Sequence, residues 1–140
     1  MQTSDTQPTV ATYLAGETYP EIRMRYGDFE DWFANKLVPH GIVTRTFDVR
    51  RGEYAVPDQV EGIVITGSAA SVCTDPEPWI EPLREHLKAI LDSRVPVLGV
   101  CFGHQVLAAA AGAAVRPHPV KRELGTTELL LTDAGAQSPL

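Results

Sequence analysis

Val95-Pro96-Val97-Leu98-Gly99-Val100-Cys101-Phe102-Gly103-His104-Gln105 is the stretch that decides the fold. Its first part, Val95 to Val100, reads as an apolar strand. It passes without a spacer into a helical pattern from Phe102 to Ala111, closed by Gly112. Cys101 stands at that junction between two glycines, in the G-x-C-x-G spacing of a nucleophile elbow. The glycines matter sterically, because so sharp a turn brings backbone into space that side chains would obstruct. The turn holds the thiol clear of the sheet edge. The Phe102 amide, at the helix start, then faces the same space as half of an oxyanion hole, and the helix N-terminus favours thiolate. A plainer alternative is a small buried cysteine that ends a core strand.

Upstream, Gly62 to Gly67 (GIVITG) is a third strand, apolar as a parallel strand covered on both faces must be, and it runs into the small-residue loop Gly67 to Ser71. Asp75-Pro76-Glu77-Pro78 is expected to open a helix, with Asp75, Glu77 and Glu81 as charges at its positive end. Its apolar face is Ile80, Leu83, Leu87, Ile90 and Leu91. Ile42 to Val49 is a second strand. Asp28 caps a helix to Val38 with Phe29, Trp32, Phe33 and Leu37 at helical spacing, and Glu17 to Gly27 is a polar connection. Thr9 to Ala15 is the first strand, after a disordered start at residues 1–8. Downstream, Ala113 to Arg116 and Thr127 to Thr132 read as two more strands. This alternation indicates one α/β domain with a mainly parallel sheet and helices on both faces; the order of strands in the sheet is not legible.

The composition of the 140 residues excludes several classes. Eighteen acidic against twelve basic residues, net −6, leave no basic stripe for a nucleic acid. Arg50-Arg51 and Lys121-Arg122 read as ordinary surface pairs. No apolar run is long enough to span a bilayer, and the polar N-terminus has no secretory pattern. Two cysteines, Cys73 and Cys101, make no disulfide framework or metal cluster. The expectation is a cytoplasmic protein without membrane or nucleic-acid partner, with Cys73 an unremarkable loop thiol.

The run Pro96 to Gln105 resembles the nucleophile segment of class I glutamine amidotransferases, the GVCFGHQ match being the specific one. Gly62 to Ser68 looks like the family's strand and glycine loop, Arg25-Tyr26-Gly27-Asp28-Phe29 like the early segment of its stand-alone, GMP-synthase-like branch, and Gly125 to Leu129 like the stretch after the nucleophile helix. The resemblance covers residues 9–140, read as the N-terminal portion of such a domain, and implies a flavodoxin-like sheet. It further implies that Cys101 attacks the glutamine side-chain carbonyl. The amides of Phe102 and of Gly67 or Ser68 would hold the oxyanion, with Gly67 favoured because it allows close approach, and Gln105 would contact the bound glutamine. The reaction releases ammonia from glutamine or a related γ-glutamyl amide through a γ-glutamyl thioester, without cofactor or metal, and can hand ammonia to a partner synthetase.

The family's remaining triad members, a histidine and a glutamate in a late His-Pro-Glu segment, have no counterpart here. His104 belongs to the motif without being the base and reads as a packing or capping residue. His118, in Arg116-Pro117-His118-Pro119-Val120, has valine where glutamate is needed. His40 and His86 read as surface residues. A second reading is therefore a non-catalytic or truncated product that retains at most ligand or partner binding. A third, a redox protein built on the elbow cysteine, lacks the acidic partner it needs beside the thiol.

Overall fold

The computed structural model describes residues 7–120 and 125–138. Four strands, β1 (Thr9–Leu14), β2 (Val43–Asp48), β3 (Gly62–Ile65) and β4 (Val97–Gly99), form one all-parallel sheet in the order β2-β1-β3-β4. Val10 aligns with Thr44 on one side and with Gly62 on the other, and Val64 aligns with Leu98. Pro8 extends the first ladder, its carbonyl accepting the Val43 N–H at 2.8 Å; residues 1–6, expected to be disordered, lie outside the described residues.

Between β1 and β2 the chain forms α1 (Pro20–Tyr26) and α2 (Phe29–Leu37); α3 (Ile80–Ser93) joins β3 to β4, and α4 (Phe102–Ala110) follows β4. Right-handed crossovers that leave β1 in one direction and β3 in the other place their helices on opposite faces. The side chains agree. Ala11, Tyr13, Ala15, Ile63 and Ile65 form one core with Leu83, Leu87 and Ile90 of α3 and with Phe102, Val106 and Ala110 of α4. Thr12, Leu14 and Val64 take the other face, where α2 packs on β1 and β2. Cover thins towards β4 on that face, leaving Leu98 and Val100 partly exposed.

Several expectations need correction. The stretch from Glu17 to Gly27 is not merely a polar connection, because α1 forms there with Pro20 in its first turn. It escapes a periodicity reading because it buries no residue. The helix expected to open at Asp75 starts at Ile80. Pro76 and Pro78 each bias the preceding residue away from helical backbone, and Asp75 takes φ 52°. Leu91, assigned to the apolar face of α3, is exposed. Neither Ala113–Arg116 nor Thr127–Thr132 forms a strand. The Ala113 N–H is spent on the Ala108 carbonyl, closing α4 around Gly112 at φ 89°. Thr132 caps a short helix, α5 (Asp133–Ala136), and Leu129, Leu130 and Leu131 stand exposed, with no ladder to any strand among the described residues. Lys121-Arg122 lies outside the described residues.

Candidate active site at the strand C-termini

Connections leave β1 and β3 in opposite directions, so the loops after these adjacent strands diverge and open a crevice at their carboxyl ends. Open α/β sheets bind ligands at such a switch point. A cleft of about 670 Å³ lies there, lined by Glu17, Thr18 and Tyr19 after β1, Gly67, Ser68 and Ala69 after β3, and Val100 and Cys101 after β4. Its remaining wall is Pro20 of α1 with Phe29, Trp32, Phe33 and Lys36 of α2.

The elbow is built as its spacing requires. Cys101 adopts φ 55° and ψ −111°, a sparsely populated conformation for a residue with a side chain, and α4 begins directly after it. The turn is pinned at three points: Val100 N–H to the Ile65 carbonyl at 3.0 Å, Gly103 N–H to the Val100 carbonyl at 2.9 Å, and Gln105 N–H to the Cys101 carbonyl at 3.2 Å. Both glycines are necessary for packing. A Cβ on Gly99 would lie 2.5 Å from the Gly103 carbonyl group, and one on Gly103 would run into the Ile65 carbonyl oxygen. Cys101 is exposed, which rules out the buried core cysteine, and its Sγ has no hydrogen-bond partner among the described residues. Cys73 is also exposed, in its loop, within 3.8 Å of the Ser71 and Thr74 hydroxyls.

Gly67 adjoins Cys101, since a Cβ placed on it would meet Cys101 Cβ at 3.6 Å. The β3 loop is held by Thr66, buried, whose Oγ1 accepts the Ala15 N–H at 2.9 Å and donates to the Gly67 carbonyl at 3.0 Å. Ser68 Oγ accepts the Ala70 N–H at 3.1 Å. Gly16, just after β1, lets the two loops touch, because a Cβ there would lie 2.8 Å from Ser68 Cα. Phe102 is buried against Trp79, their ring centroids 5.4 Å apart, so its side chain anchors α4 while its amide sits in the first turn without an intrahelical partner. Gln105 is exposed and lies outside the wall of the cleft.

The α1–α2 wall is held by polar contacts that the spacing did not announce. Asp28, buried, accepts the Thr18 N–H at 2.9 Å and the Phe29 N–H at 2.8 Å, while Asp31 accepts the Asp28 N–H at 2.9 Å, a reciprocal cap. The Trp32 indole donates to the Tyr26 carbonyl at 2.7 Å, and its ring packs edge-on to Phe29. Arg50, read as half of a surface pair, is a junction: it meets Asp48 at 2.8 Å and Glu17 at 3.0 Å, and Glu17 also meets Arg23 at 2.7 Å. Hydrogen bonding from Arg50 holds both carboxyls below the usual carboxylate range.

The histidines are distributed otherwise than expected. His86 is not a surface residue. It is half-buried, stacks on Tyr54 with centroids 4.2 Å apart, and bonds the Tyr13 hydroxyl through Nε2 at 2.9 Å. Burial pushes its pKa down and that of Tyr13 up to about 12. His104 neither packs nor caps; the helical rotation that sends Gly103 and Val106 inward turns it to solvent. His40 is exposed after α2, and His118 is exposed with its Nδ1 accepting the Val120 N–H at 3.3 Å. Among the described residues no group of three His, Cys, Asp or Glu could hold a metal ion, and no helix is long and apolar enough to cross a membrane.

The family model described as glutamine amidotransferase class-I matches residues 26–137. A glutamine amidotransferase-like protein of Schizosaccharomyces pombe is 32% identical over 141 aligned positions, covering 90% of this chain and 56% of that protein. A gamma-glutamyl peptidase of Arabidopsis thaliana is 36% identical, covering 74% and 42% respectively. The glutamine-hydrolysing GMP synthase of Mycobacterium tuberculosis is 40% identical over 106 residues, which is 76% of this chain and 17% of that enzyme. Among solved structures, a glutamine amidotransferase from Methylobacillus flagellatus superposes with TM-score 0.55 at 24% identity, over 77% of this chain and 40% of that one. One from Thermotoga maritima superposes at 0.56 and 19%, over 76% and 44%. The fold shared with them is the flavodoxin-like α/β sheet. The chain spans little more than half the length of the fission-yeast relative and less of the others.

Proposed function

The chain belongs to the class I glutamine amidotransferase family, and from that premise we propose that it carries the nucleophile side of an acyl-transfer site for glutamine or a related γ-glutamyl amide. The observation that carries this reading is the exposed Cys101 at φ 55°, beside Gly67 and at the head of α4, facing the switch-point cleft. In the reaction, Cys101 Sγ attacks the side-chain carbonyl, and the Phe102 amide with that of Gly67 or Ser68 takes the developing oxyanion. Collapse expels the amine and leaves a γ-glutamyl thioester, which water hydrolyses. The family resemblance, rather than the lining of the cleft, assigns Gln105 to the glutamate moiety. Likeness to a gamma-glutamyl peptidase supports peptide amides as substrates, and likeness to a GMP synthase supports passing ammonia to a synthetase partner.

The chemistry also needs a base to take the thiol proton and return it to the departing nitrogen. None of the described residues hydrogen-bonds Cys101 Sγ, and His86 is committed to Tyr13. That same observation favours a second reading, ligand binding without turnover. Incubation with glutamine separates them. Ammonia release beyond one equivalent of protein, abolished by Cys101→Ala and left intact by Cys73→Ala, supports the enzyme; a single equivalent of ammonia with a γ-glutamyl adduct left on Cys101 supports a stalled site. Release that survives Cys101→Ala refutes both assignments of this residue.

A further inference from the structure

The cleft at Cys101 is larger and more apolar than the release of ammonia requires. Glutamine loses a single nitrogen, whereas the wall beside the nucleophile presents Tyr19, Phe29, Trp32 and Phe33 in a cavity of about 670 Å³, the size of a site for a whole small ligand. This wall is built: the Trp32 indole N–H is already satisfied by Tyr26 and the start of α2 is locked by the Asp28–Asp31 cap, so the aromatic faces are what remains to be used. Two charged side chains line the cleft. Both Glu17 oxygens are held by Arg23 and Arg50, which leaves that carboxylate little capacity for a ligand. Lys36 makes no ion pair among the described residues and carries a charge at the rim without a partner.

We propose that the amide cleaved here is a γ-glutamyl dipeptide whose leaving amine is an apolar or aromatic amino acid. Its side chain lies on Phe29, Trp32 and Phe33, and its carboxylate pairs with Lys36. The proposal rests on the reading of Cys101 as acyl acceptor and names the leaving group that this cleft selects. The step balances as ordinary amide cleavage. The Sγ–C bond forms as the C–N bond breaks, the amine departs with the thiol's proton, and water then supplies OH to the acyl carbon and H to the thiolate. The aromatic wall discriminates because only an apolar amine gives its faces something to cover, while the glutamyl half is common to every candidate.

The test measures protection of Cys101 from alkylation, with Cys73 as the internal reference, by γ-glutamyl-phenylalanine, γ-glutamyl-phenethylamide and glutamine. Protection by the dipeptide at a concentration at least tenfold below that of glutamine is expected. Trp32→Ala is expected to remove most of that advantage. Lys36→Met, an exposed change that leaves the wall standing, is expected to weaken the dipeptide severalfold while leaving the carboxylate-free phenethylamide where it was. Equal protection by dipeptide and glutamine overturns the leaving-group proposal and leaves Cys101 as acyl acceptor. Protection by none of the three overturns that underlying reading, and the proposal falls with it. Retention of the dipeptide's full advantage in both variants shows that another surface, or a covering polypeptide, selects the amine, and it also overturns the proposal.

Discussion

Gly103→Ala sets two opposing effects against each other, and the structure says which wins. Alanine in a helix is worth about 1 kcal/mol over glycine, so propensity alone favours the variant. Against this, the new Cβ would run into the Ile65 carbonyl oxygen and lie 2.8 Å from Ile65 Cβ. The obstacle is strand backbone, not the far end of a flexible side chain, and that same carbonyl accepts the Val100 N–H that ties β3 to the elbow. Relief therefore means moving α4 off the sheet, where Phe102 and Val106 are fully buried. Overpacking a rigid site costs about 1–3 kcal/mol, and this one belongs at the upper end. The net loss is about 2 kcal/mol. For a chain of this length that lowers the melting temperature by roughly 6–10 °C, and the urea midpoint falls with an unchanged slope. Circular dichroism follows both, and alkylation of Cys101 relative to Cys73 reports on the elbow. A variant as stable as the parent, or more so, would refute the claim that close approach of α4 to β3 requires glycine here.

Two further predictions follow from strain and from charge. Because Cys101 is exposed and holds a positive φ, Cys101→Gly should be more stable than Cys101→Ala by about 1 kcal/mol in thermal melts, strain relief outweighing the greater entropy of unfolded glycine; the opposite order would mean that the elbow is not strained. Burial holds the pKa of His86 below its ordinary 6.5, so its contribution to stability is complete above about pH 6.5 and declines as pH falls through the lower folded value. Glu17 and Asp48, shifted down by Arg50, contribute above about pH 4 and lose their effect below it. The two losses set in at different pH, so His86→Gln should flatten the decline that begins below about pH 6.5 while leaving the limb below about pH 4 in place, as checked by melts across pH.

Local rules made the elbow at Cys101 legible. Strand, glycine, cysteine, glycine and helix occur in consecutive residues, and a turn of that kind is specified by its own steric demands, so Cys101 and its two glycines could be named from spacing alone. Asp28 as a cap and Ile80, Leu83, Leu87 and Ile90 as a buried face were readable for the same reason, their signals lying within one or two helical turns. The failures share the opposite property. Thr127–Thr132 has the composition of a strand, but a strand exists only where an edge receives it, and it has no ladder among the described residues. His86 looked like a surface residue because its partners, Tyr13 and Tyr54, are far away in sequence. Arg50 passed for a surface charge until folding brought Glu17 against it.

The sequence by itself determined that Cys101 stands on a strained strand-to-helix turn, because every residue that turn needs is adjacent to it. Only the tertiary structure decided what the thiol faces. The order β2-β1-β3-β4 puts the loops after β1 and β3 side by side, and the absence of a side chain at Gly16 lets them touch. That arrangement places the aromatic wall of α2, about seventy residues earlier in the chain, across the cleft from Cys101. No local pattern carries strand order, since it depends on which apolar faces bury each other across the whole sheet.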